Sequence, residues 1–160
     1  MSRSFKHWNL RYIHARSKEF LFRKKNPEAP WLTSDAIDLL EKLIRSDDVG
    51  LEFGSGRSTV WFCERVGHLF SVETDPAWYE WTRQALLSKN LNNFTFECVS
   101  MEEVEKTPEK YVNFFIKYRD YSFDFALIDG KLRAEATKTV LKRIKVGGLL
   151  IIDNINRYIP

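Results

Sequence analysis

The sequence has little cysteine, since Cys63 and Cys98 are the only two among 160 residues. Two isolated cysteines match neither the paired spacing of a zinc site nor that of a redox motif. Reduced thiols of this kind are typical of intracellular proteins, so we expect a cytoplasmic location.

Long apolar segments are also missing from the sequence. No apolar run approaches the ~18 residues that a membrane-spanning helix needs. No apolar core follows the N-terminal charges, as it would in a secretory signal. The sequence contains no internal repeat, low-complexity segment or interdomain linker. A hydrophobic fraction of 44% and a charged fraction of 29% are ordinary for a globular protein with a buried core.

Charge is unevenly distributed along a chain whose net charge is only +3. The first 25 residues hold eight Lys or Arg and one acid, whereas the other 135 residues hold 17 basic and 21 acidic residues. A basic arm on a mildly acidic body predicts contact with an anionic surface, and a membrane-surface helix is one form of such contact. Nucleic acid is another, although no specific recognition motif for it is present.

The basic arm has the apolar spacing of a helix, with Phe5, Trp8, Tyr12, Ala15 and Phe22 on one stripe that Glu19 interrupts. We expect this stripe to pack on the sheet or on a second copy of the chain in a homodimer. A second helix is predicted to begin at Thr33 or Ser34, with Ile37, Leu40 and Ile44 on its apolar face. Residues 1–48 are therefore predicted to form an N-terminal helical extension.

From residue 49 onward, short apolar runs alternate with helical patterns. The predicted strands are 49–53, 69–73, 94–99, 123–128 and 149–152, and the helices between them are 58–66, 76–89, a segment from 108, and 134–144. Strand–helix–strand units with right-handed crossovers build a parallel sheet with helices on both faces. We therefore predict that residues 49–160 form one α/β domain, a three-layer sandwich with a mainly parallel sheet of about five strands.

Polar residues follow every predicted strand. The strand ends carry Glu52 with Gly54-Ser55-Gly56, Glu73-Thr74-Asp75, Ser100-Met101-Glu102, Asp129-Gly130 and Asp153-Asn154. In an open parallel sheet, ligands bind at the C-terminal ends of the strands. Five such endings predict one shared polar site.

The first two strand ends indicate a nucleotide-like ligand. Gly54 and Gly56 allow the backbone to approach a ligand closely at the start of a helix. Glu73 lies 21 residues beyond Glu52, and a carboxylate at that place can accept hydrogen bonds from the two hydroxyls of a ribose. The alternative is a tight turn and a surface acid. The glycines alone favour that alternative, whereas Glu73 after a second strand favours the ligand.

The choice of nucleotide depends on two residues. The dinucleotide fingerprint G-x-G-x-x-G requires a third glycine where this chain has Thr59, and it usually has an apolar residue where this chain has Glu52. The successive segments LEFGSG, VETD, FALIDG and GGLLIIDN instead resemble the motifs of the class I S-adenosylmethionine-dependent methyltransferases, in the same order. The resemblance covers residues 49–154 and implies a Rossmann-like fold.

The resemblance also implies roles for the strand-end residues. Gly54, Ser55 and Gly56 would pass under S-adenosylmethionine, with Glu52 and Ser58 near its methionine end. Glu73 would hold the ribose hydroxyls with Thr74 beside the adenosine, and Ser100 and Met101 would flank the adenine. Asp129 would lie near the sulfonium and the acceptor, and Lys131 is a second candidate catalytic residue.

A metal is a further expectation. Asp129, Asp153 and Asn154 resemble the ligand set of the catechol and caffeoyl-CoA O-methyltransferases, and three oxygen ligands suit Mg²⁺. Those families have a lysine three positions after the first aspartate, whereas this chain has Lys131 two positions after Asp129 and Arg133 four positions after it. The departure leaves both the metal and the base open, and the alternative is that both aspartates only line the cofactor pocket.

Family members usually add an antiparallel hairpin after the fifth strand. This chain stops at Pro160, seven residues past Asp153, which leaves either a minimal sheet or a missing C-terminal part.

The expected function is methyl transfer to a small-molecule acceptor, with O-methylation favoured. A nicotinamide-dependent oxidoreductase and a non-catalytic S-adenosylmethionine-binding module remain as alternatives.

Overall fold

The structure, a computed structural model, describes residues 9–118 and 122–155. The N-terminal residues Phe5 and Trp8 of the predicted apolar stripe lie outside the described residues. The basic residues Arg3 and Lys6 of the arm do so as well.

The described chain alternates helices and strands in the predicted order. The helices are α1 (Leu10–Lys25), α2 (Ser34–Leu43), α3 (Arg57–Cys63), α4 (Pro76–Ser88), α5 (Met101–Lys106), α6 (Pro108–Val112) and α7 (Arg133–Val140), with a 3₁₀ turn at Phe114–Lys117. The strands are β1 (Val49–Phe53), β2 (His68–Glu73), β3 (Phe94–Cys98), β4 (Phe123–Ile128) and β5 (Ile144–Ile152).

The five strands form one sheet in the order β3-β2-β1-β4-β5, and every neighbouring pair is parallel. The strand order reverses at β1, where Leu51 pairs with Phe70 on one side and with Ala126 on the other. This reversal places the ends of β1, β2 and β4 next to one another, at the point where such sheets bind ligands. The predicted three-layer α/β fold is confirmed.

Capping residues explain where two of the helices begin. The Asp75 carboxylate accepts hydrogen bonds from the backbone N–H groups of Ala77 (2.9 Å) and Trp78 (3.1 Å), and Pro76 occupies the first helical position of α4. The Thr33 hydroxyl accepts a hydrogen bond from the Ala36 N–H at the start of α2. Both starts agree with the sequence prediction.

The core has one apolar cluster on each face of the sheet. One cluster joins Phe53, Phe70 and Phe123 to residues of α6, α7 and the 3₁₀ turn. The other joins Phe62, Leu69 and Phe125 to Ile37 and Leu40 of α2. The division at residue 48 stays a prediction, and this second cluster contains buried side chains from both sides of it.

Helix α1 packs only part of the predicted apolar stripe against the rest of the protein. Tyr12 and Phe22 are half-buried, but Ala15 is exposed. Glu19, expected to interrupt the inner face, lies on it: its carboxylate accepts hydrogen bonds from the Arg23 guanidinium and from the Ser34 N–H, each at 3.0 Å. This half-buried polar pair holds α1 against the start of α2.

Strand β5 is longer than predicted, because it begins at Ile144 rather than at residue 149. The glycine pair was expected to form a turn before the strand. Instead Gly147, with φ of +86°, lies inside the strand, where the register against β4 shifts between Phe123 and Phe125. A glycine in this left-handed conformation is typical of a β-bulge.

Within residues 9–118 and 122–155, the helices are too short or too polar to cross a membrane.

Candidate active site

The loop after β1 packs tightly against the loop after β4. Gly54 has φ of +89°, and a Cβ atom built on it would lie 2.8 Å from the Gly130 Cα. A Cβ atom on Gly130 would lie 2.0 Å from the Tyr111 hydroxyl. Neither position has room for a side chain, so the two glycines allow the strand ends to meet beneath the site.

Glu52 lies beneath this loop and is fully buried. Its carboxylate accepts hydrogen bonds from the hydroxyls of Ser58 (2.6 Å), Thr59 (2.6 Å) and Ser71 (2.7 Å). Burial raises the pKa of Glu52 to about 7, against the opposing effect of the three hydroxyl donors. Glu52 and Ser58 were expected near the methionine end of the cofactor, but in the structure the Ser58 hydroxyl donates to the Glu52 carboxylate instead.

Thr59 links Glu52 to the loop. Its hydroxyl donates to Glu52 and accepts a hydrogen bond from the Gly56 N–H at 2.8 Å. These two hydrogen bonds explain why the chain has Thr59 where the dinucleotide fingerprint has a third glycine. A threonine at this position fixes the turn by hydrogen bonds, where a glycine would allow close helix packing.

Glu73 closes β2 and is 8% exposed. One of its carboxylate oxygens accepts hydrogen bonds from the Ser55 N–H (2.8 Å) and the Ser55 hydroxyl (3.1 Å). The other accepts from the N–H groups of Thr74 (2.7 Å) and Asp75 (3.0 Å). These four hydrogen bonds fix the carboxylate at the rim of the loop. A diol bound there would replace the Ser55 hydroxyl as a hydrogen-bond donor to Glu73.

Trp78 forms a wall of the site that the sequence did not indicate. Its indole N–H donates to the Ser55 carbonyl oxygen at 2.5 Å, and its ring lies beside Gly56. Trp78 stacks on Trp81 with ring centroids 4.8 Å apart and an interplanar angle of 15°. Only the contact of Trp78 with the loop after β1 identifies it as part of the site.

A cleft of about 390 Å³ opens above the ends of β1, β2 and β4. Its volume lies in the range of small-molecule sites. It is lined by Gly54, Ser55, Glu73, Thr74, Asp75, Trp78, Asp129, Gly130, Lys131 and Arg133. Of the predicted site residues near β1, β2 and β4, the structure brings together Gly54, Ser55, Glu73, Thr74, Asp129 and Lys131, whereas Glu52, Gly56 and Ser58 do not line the cleft.

Ser100 and Met101 do not line this cleft. Ser100 instead begins α5, since its hydroxyl accepts a hydrogen bond from the Glu103 N–H and the Glu103 carboxylate accepts one from the Ser100 N–H. This reciprocal pair is a capping box. Met101 follows with its side chain 38% exposed, so its place beside an adenine stays a prediction.

Arg133 is the buried cation of the site, with a side chain that is 8% exposed. Its guanidinium donates to the Asp129 carboxylate at 2.8 Å and to the carbonyl oxygens of Asp129 (2.7 Å) and Gly130 (3.1 Å). It also donates to the carbonyl oxygen of Asp153 and lies 3.9 Å from the Asp153 carboxylate. Arg133 therefore ties the end of β4 to the end of β5.

The Asp129 carboxylate faces the cleft and is one-third exposed. Burial, followed by the neighbouring Asp153 carboxylate, raises its pKa to about 6, and Arg133 opposes both effects. Next to it, the Lys131 N–H donates to the Tyr111 hydroxyl at 3.1 Å. This bond fixes the backbone of the loop, and the Lys131 side chain is exposed.

The predicted magnesium ligands do not fit a divalent cation as they are arranged. The Arg133 guanidinium already donates to the Asp129 carboxylate and lies 3.9 Å from the Asp153 carboxylate, and the Asn154 amide donates to the Asp153 carboxylate. Among residues 9–118 and 122–155, no three His, Cys, Asp or Glu side chains are grouped as metal ligands. The expected magnesium site is not supported.

Comparison with known proteins identifies the family. A family model described as a methyltransferase domain matches residues 51–155, which is more than half of the chain. The chain therefore belongs to this methyltransferase family, whose enzymes depend on S-adenosylmethionine and have a Rossmann-like fold. No curated protein matches the chain.

Solved structures share the fold at low sequence identity. A Staphylococcus aureus protein named as a candidate caffeoyl-CoA O-methyltransferase has a TM-score of 0.64 and 20% identity, over 96% of this chain and 70% of that one. A methyltransferase-like protein from Silicibacter pomeroyi has a TM-score of 0.61 and 21% identity, over 73% and 69%. A candidate Streptococcus mutans methyltransferase in complex with SAH has a TM-score of 0.58 and 17% identity, over 73% and 68%. The chain thus spans about two thirds of the length of these proteins.

The cleft has features that fit S-adenosylmethionine. Gly54 leaves the loop without a side chain at the cleft floor, and Glu73 presents a fixed carboxylate on one side. The indole of Trp78 offers a flat apolar wall. A carboxylate can accept hydrogen bonds from the two hydroxyls of a ribose, and an aromatic surface can pack against the rest of a nucleoside.

Proposed function

We propose that the cleft binds S-adenosylmethionine and that the chain transfers its methyl group to an oxygen of a small-molecule acceptor. The observation that carries the proposal is the pairing of Glu73 with Ser55 across the ends of β2 and β1. This pairing places a carboxylate acceptor beside a glycine turn, which suits a ribose next to a cofactor backbone.

The residues have separate roles in binding. Gly54, Ser55 and Gly56 form the floor under the cofactor, and Glu73 accepts hydrogen bonds from its ribose hydroxyls. Thr74 and Trp78 line the side on which the nucleoside lies. Glu52 and Thr59 act indirectly, because their hydrogen bonds hold the loop in this shape.

The chemical step needs little from the protein. When bound, S-adenosylmethionine supplies a methyl group already activated on a sulfonium. The chain must hold the acceptor oxygen in line and remove its proton. Asp129 is the proposed proton acceptor, since its carboxylate lies in the cleft and its pKa of about 6 is close to neutral pH. The proton would go to Asp129 as the oxygen–methyl bond forms and the sulfur–methyl bond breaks, with S-adenosylhomocysteine as the leaving group.

An assay with S-adenosylmethionine that carries a tritiated methyl group tests this function. The purified chain is incubated with a panel of catechols, phenols and hydroxy acids, and each product is separated and hydrolysed to locate the label. We expect label on the oxygen of at least one small acceptor. Cofactor binding without transfer to any of them would favour the non-catalytic module instead.

A further inference from the structure

Helix α1 carries a second apolar face that points away from the body of the protein. Leu10, Ile13, Phe20 and Leu21 are all exposed, with Leu10 at 86% and Phe20 at 69%. They recur at spacings of three, seven and one, which places them on one side of a helix with 3.6 residues per turn. The inward side of the same helix is formed by Glu19, Phe22 and Arg23.

Cations border this outer face. Helix α1 contains six Lys or Arg and a single acid, Glu19, and two of these cations are already paired, Arg23 with Glu19 and Lys18 with Asp35. The Glu19 carboxylate is turned inward to Arg23 and Ser34, so it does not offset the outer charge. Lys24 lies within the arc of the apolar residues, and Arg16 and Lys25 lie at its two borders.

We propose that the outer face of α1 docks on an anionic lipid membrane surface. The four apolar side chains would enter the boundary between headgroups and acyl chains, while the lysine and arginine heads remain among the anionic headgroups. This proposal does not depend on the proposed methyltransferase function.

The observations favour a membrane over the other possible occupants of the face. A second copy of the chain would bring two strongly basic helices together, and like charges at close range oppose such pairing. A nucleic acid would satisfy the cations through its phosphates, but it would leave Leu10, Ile13 and Leu21 without an apolar partner. An anionic bilayer satisfies both features of the face.

Vesicle co-sedimentation tests the proposal with the full chain. Vesicles of phosphatidylcholine with 30 mol% phosphatidylglycerol are compared with vesicles of pure phosphatidylcholine. We expect binding to the anionic vesicles only. We also expect the double variant Ile13→Ser with Phe20→Ser to weaken it at least about tenfold, because burial of these two side chains drives insertion.

Charge is tested separately, with Arg16→Gln and Lys24→Gln expected to weaken binding by about fivefold each. The matched control is Leu87→Ser with Leu141→Ser, which removes two exposed apolar side chains elsewhere (46% and 58% exposed) and should bind like the wild type. All variants change exposed residues, and circular dichroism confirms that each is folded.

Several results would overturn the proposal. Equal binding to neutral vesicles, no binding to anionic vesicles, or unchanged binding of the Ile13/Phe20 variant would each do so.

Light scattering gives a further test. A dimer that this variant converts to a monomer would assign the face to a second copy of the chain. Binding to a polyuridine probe that this variant retains, without vesicle binding, would assign the charge to nucleic acid.

Discussion

The Glu73 carboxylate and Ser55 are joined by two hydrogen bonds, one from the Ser55 N–H at 2.8 Å and one from its hydroxyl at 3.1 Å. The pair connects the end of β2 to the loop after β1, where the strand order of the sheet reverses. The proposed cofactor site therefore rests on a contact between residues 18 positions apart in the sequence.

Replacing Glu73 with Gln should weaken S-adenosylhomocysteine binding by about 1–3 kcal/mol, because a charge-assisted hydrogen bond to the ribose is lost. Isothermal titration calorimetry with S-adenosylhomocysteine measures this change. Glu80→Gln is the control, since Glu80 lies on the exposed side of α4 and pairs with Arg83. Equal affinity of the wild type and the Glu73 variant would contradict the ribose assignment.

Glu52 should make the protein less stable as the pH rises from about 4.5 to 7. Burial raises the pKa of Glu52 to about 7 from an ordinary value of 4.5, so in this range the folded state retains a proton that the unfolded state releases. The stabilisation is fully present below pH 4.5 and lost above pH 7. It amounts to roughly 3 kcal/mol for a shift of this size.

Urea unfolding of the wild type and of Glu52→Gln at pH 5 and pH 8 measures this effect. The variant keeps the shape of the side chain but has no proton to lose, so its free energy of unfolding should fall less between the two pH values. Parallel pH profiles for the two proteins would show that Glu52 has an ordinary pKa.

Replacing Arg133 with Ala should destabilise the fold by about 2–4 kcal/mol, because three carbonyl oxygens and the Asp129 carboxylate lose a nearly buried donor. Urea unfolding measures the change. Arg83→Ala is the matched control, since this exposed arginine pairs with Glu80 in the described contacts and its loss should destabilise the fold far less. A similar loss for both variants would contradict the role of Arg133.

Millimolar Mg²⁺ should change neither the unfolding temperature nor S-adenosylhomocysteine binding, and a chelator should have no effect on methyl transfer. The reason is that the Arg133 guanidinium already pairs with the Asp129 carboxylate and lies 3.9 Å from the Asp153 carboxylate, where the cation would bind. Differential scanning calorimetry with and without Mg²⁺ checks this. A rise in the unfolding temperature on adding Mg²⁺ would restore the metal site predicted from Asp129, Asp153 and Asn154.

Replacing Asp129 with Asn should lower the rate of methyl transfer by about 10²–10⁴-fold, the usual contribution of a general base. The wild-type rate should rise with pH up to about 6 and then level, because only the ionised Asp129 accepts a proton. Single-turnover rates from pH 5 to 8 measure both effects. A rate in the variant that matches the wild type at every pH would remove Asp129 from the chemistry.

Much of the fold could be predicted from the sequence because strands buried on both faces read as continuous apolar runs. The caps of α2 and α4 could be predicted because Thr33, Asp75 and Pro76 act on neighbouring backbone groups. The bulge at Gly147 could not, since a glycine pair is equally typical of a turn and the choice depends on the register against β4.

The site was predictable in position but less so in detail. The strand ends identified Glu73 and Asp129, because topology alone brings the ends of neighbouring parallel strands together. The hydroxyl cluster around Glu52 and the contacts of Trp78 depend on side-chain packing across the sequence. In the sequence, Arg133 stood out only because it lies four positions after Asp129. Its contacts with the ends of β4 and β5 depend on its position as the first residue of α7.

Isothermal titration calorimetry of the wild-type chain with S-adenosylmethionine, S-adenosylhomocysteine and NAD tests the central claim most directly. The account predicts one site with micromolar affinity for the first two ligands and no measurable heat with NAD, because Glu52 and Thr59 shape the loop differently from a dinucleotide fingerprint. Binding of NAD, with neither of the other two bound, would contradict it.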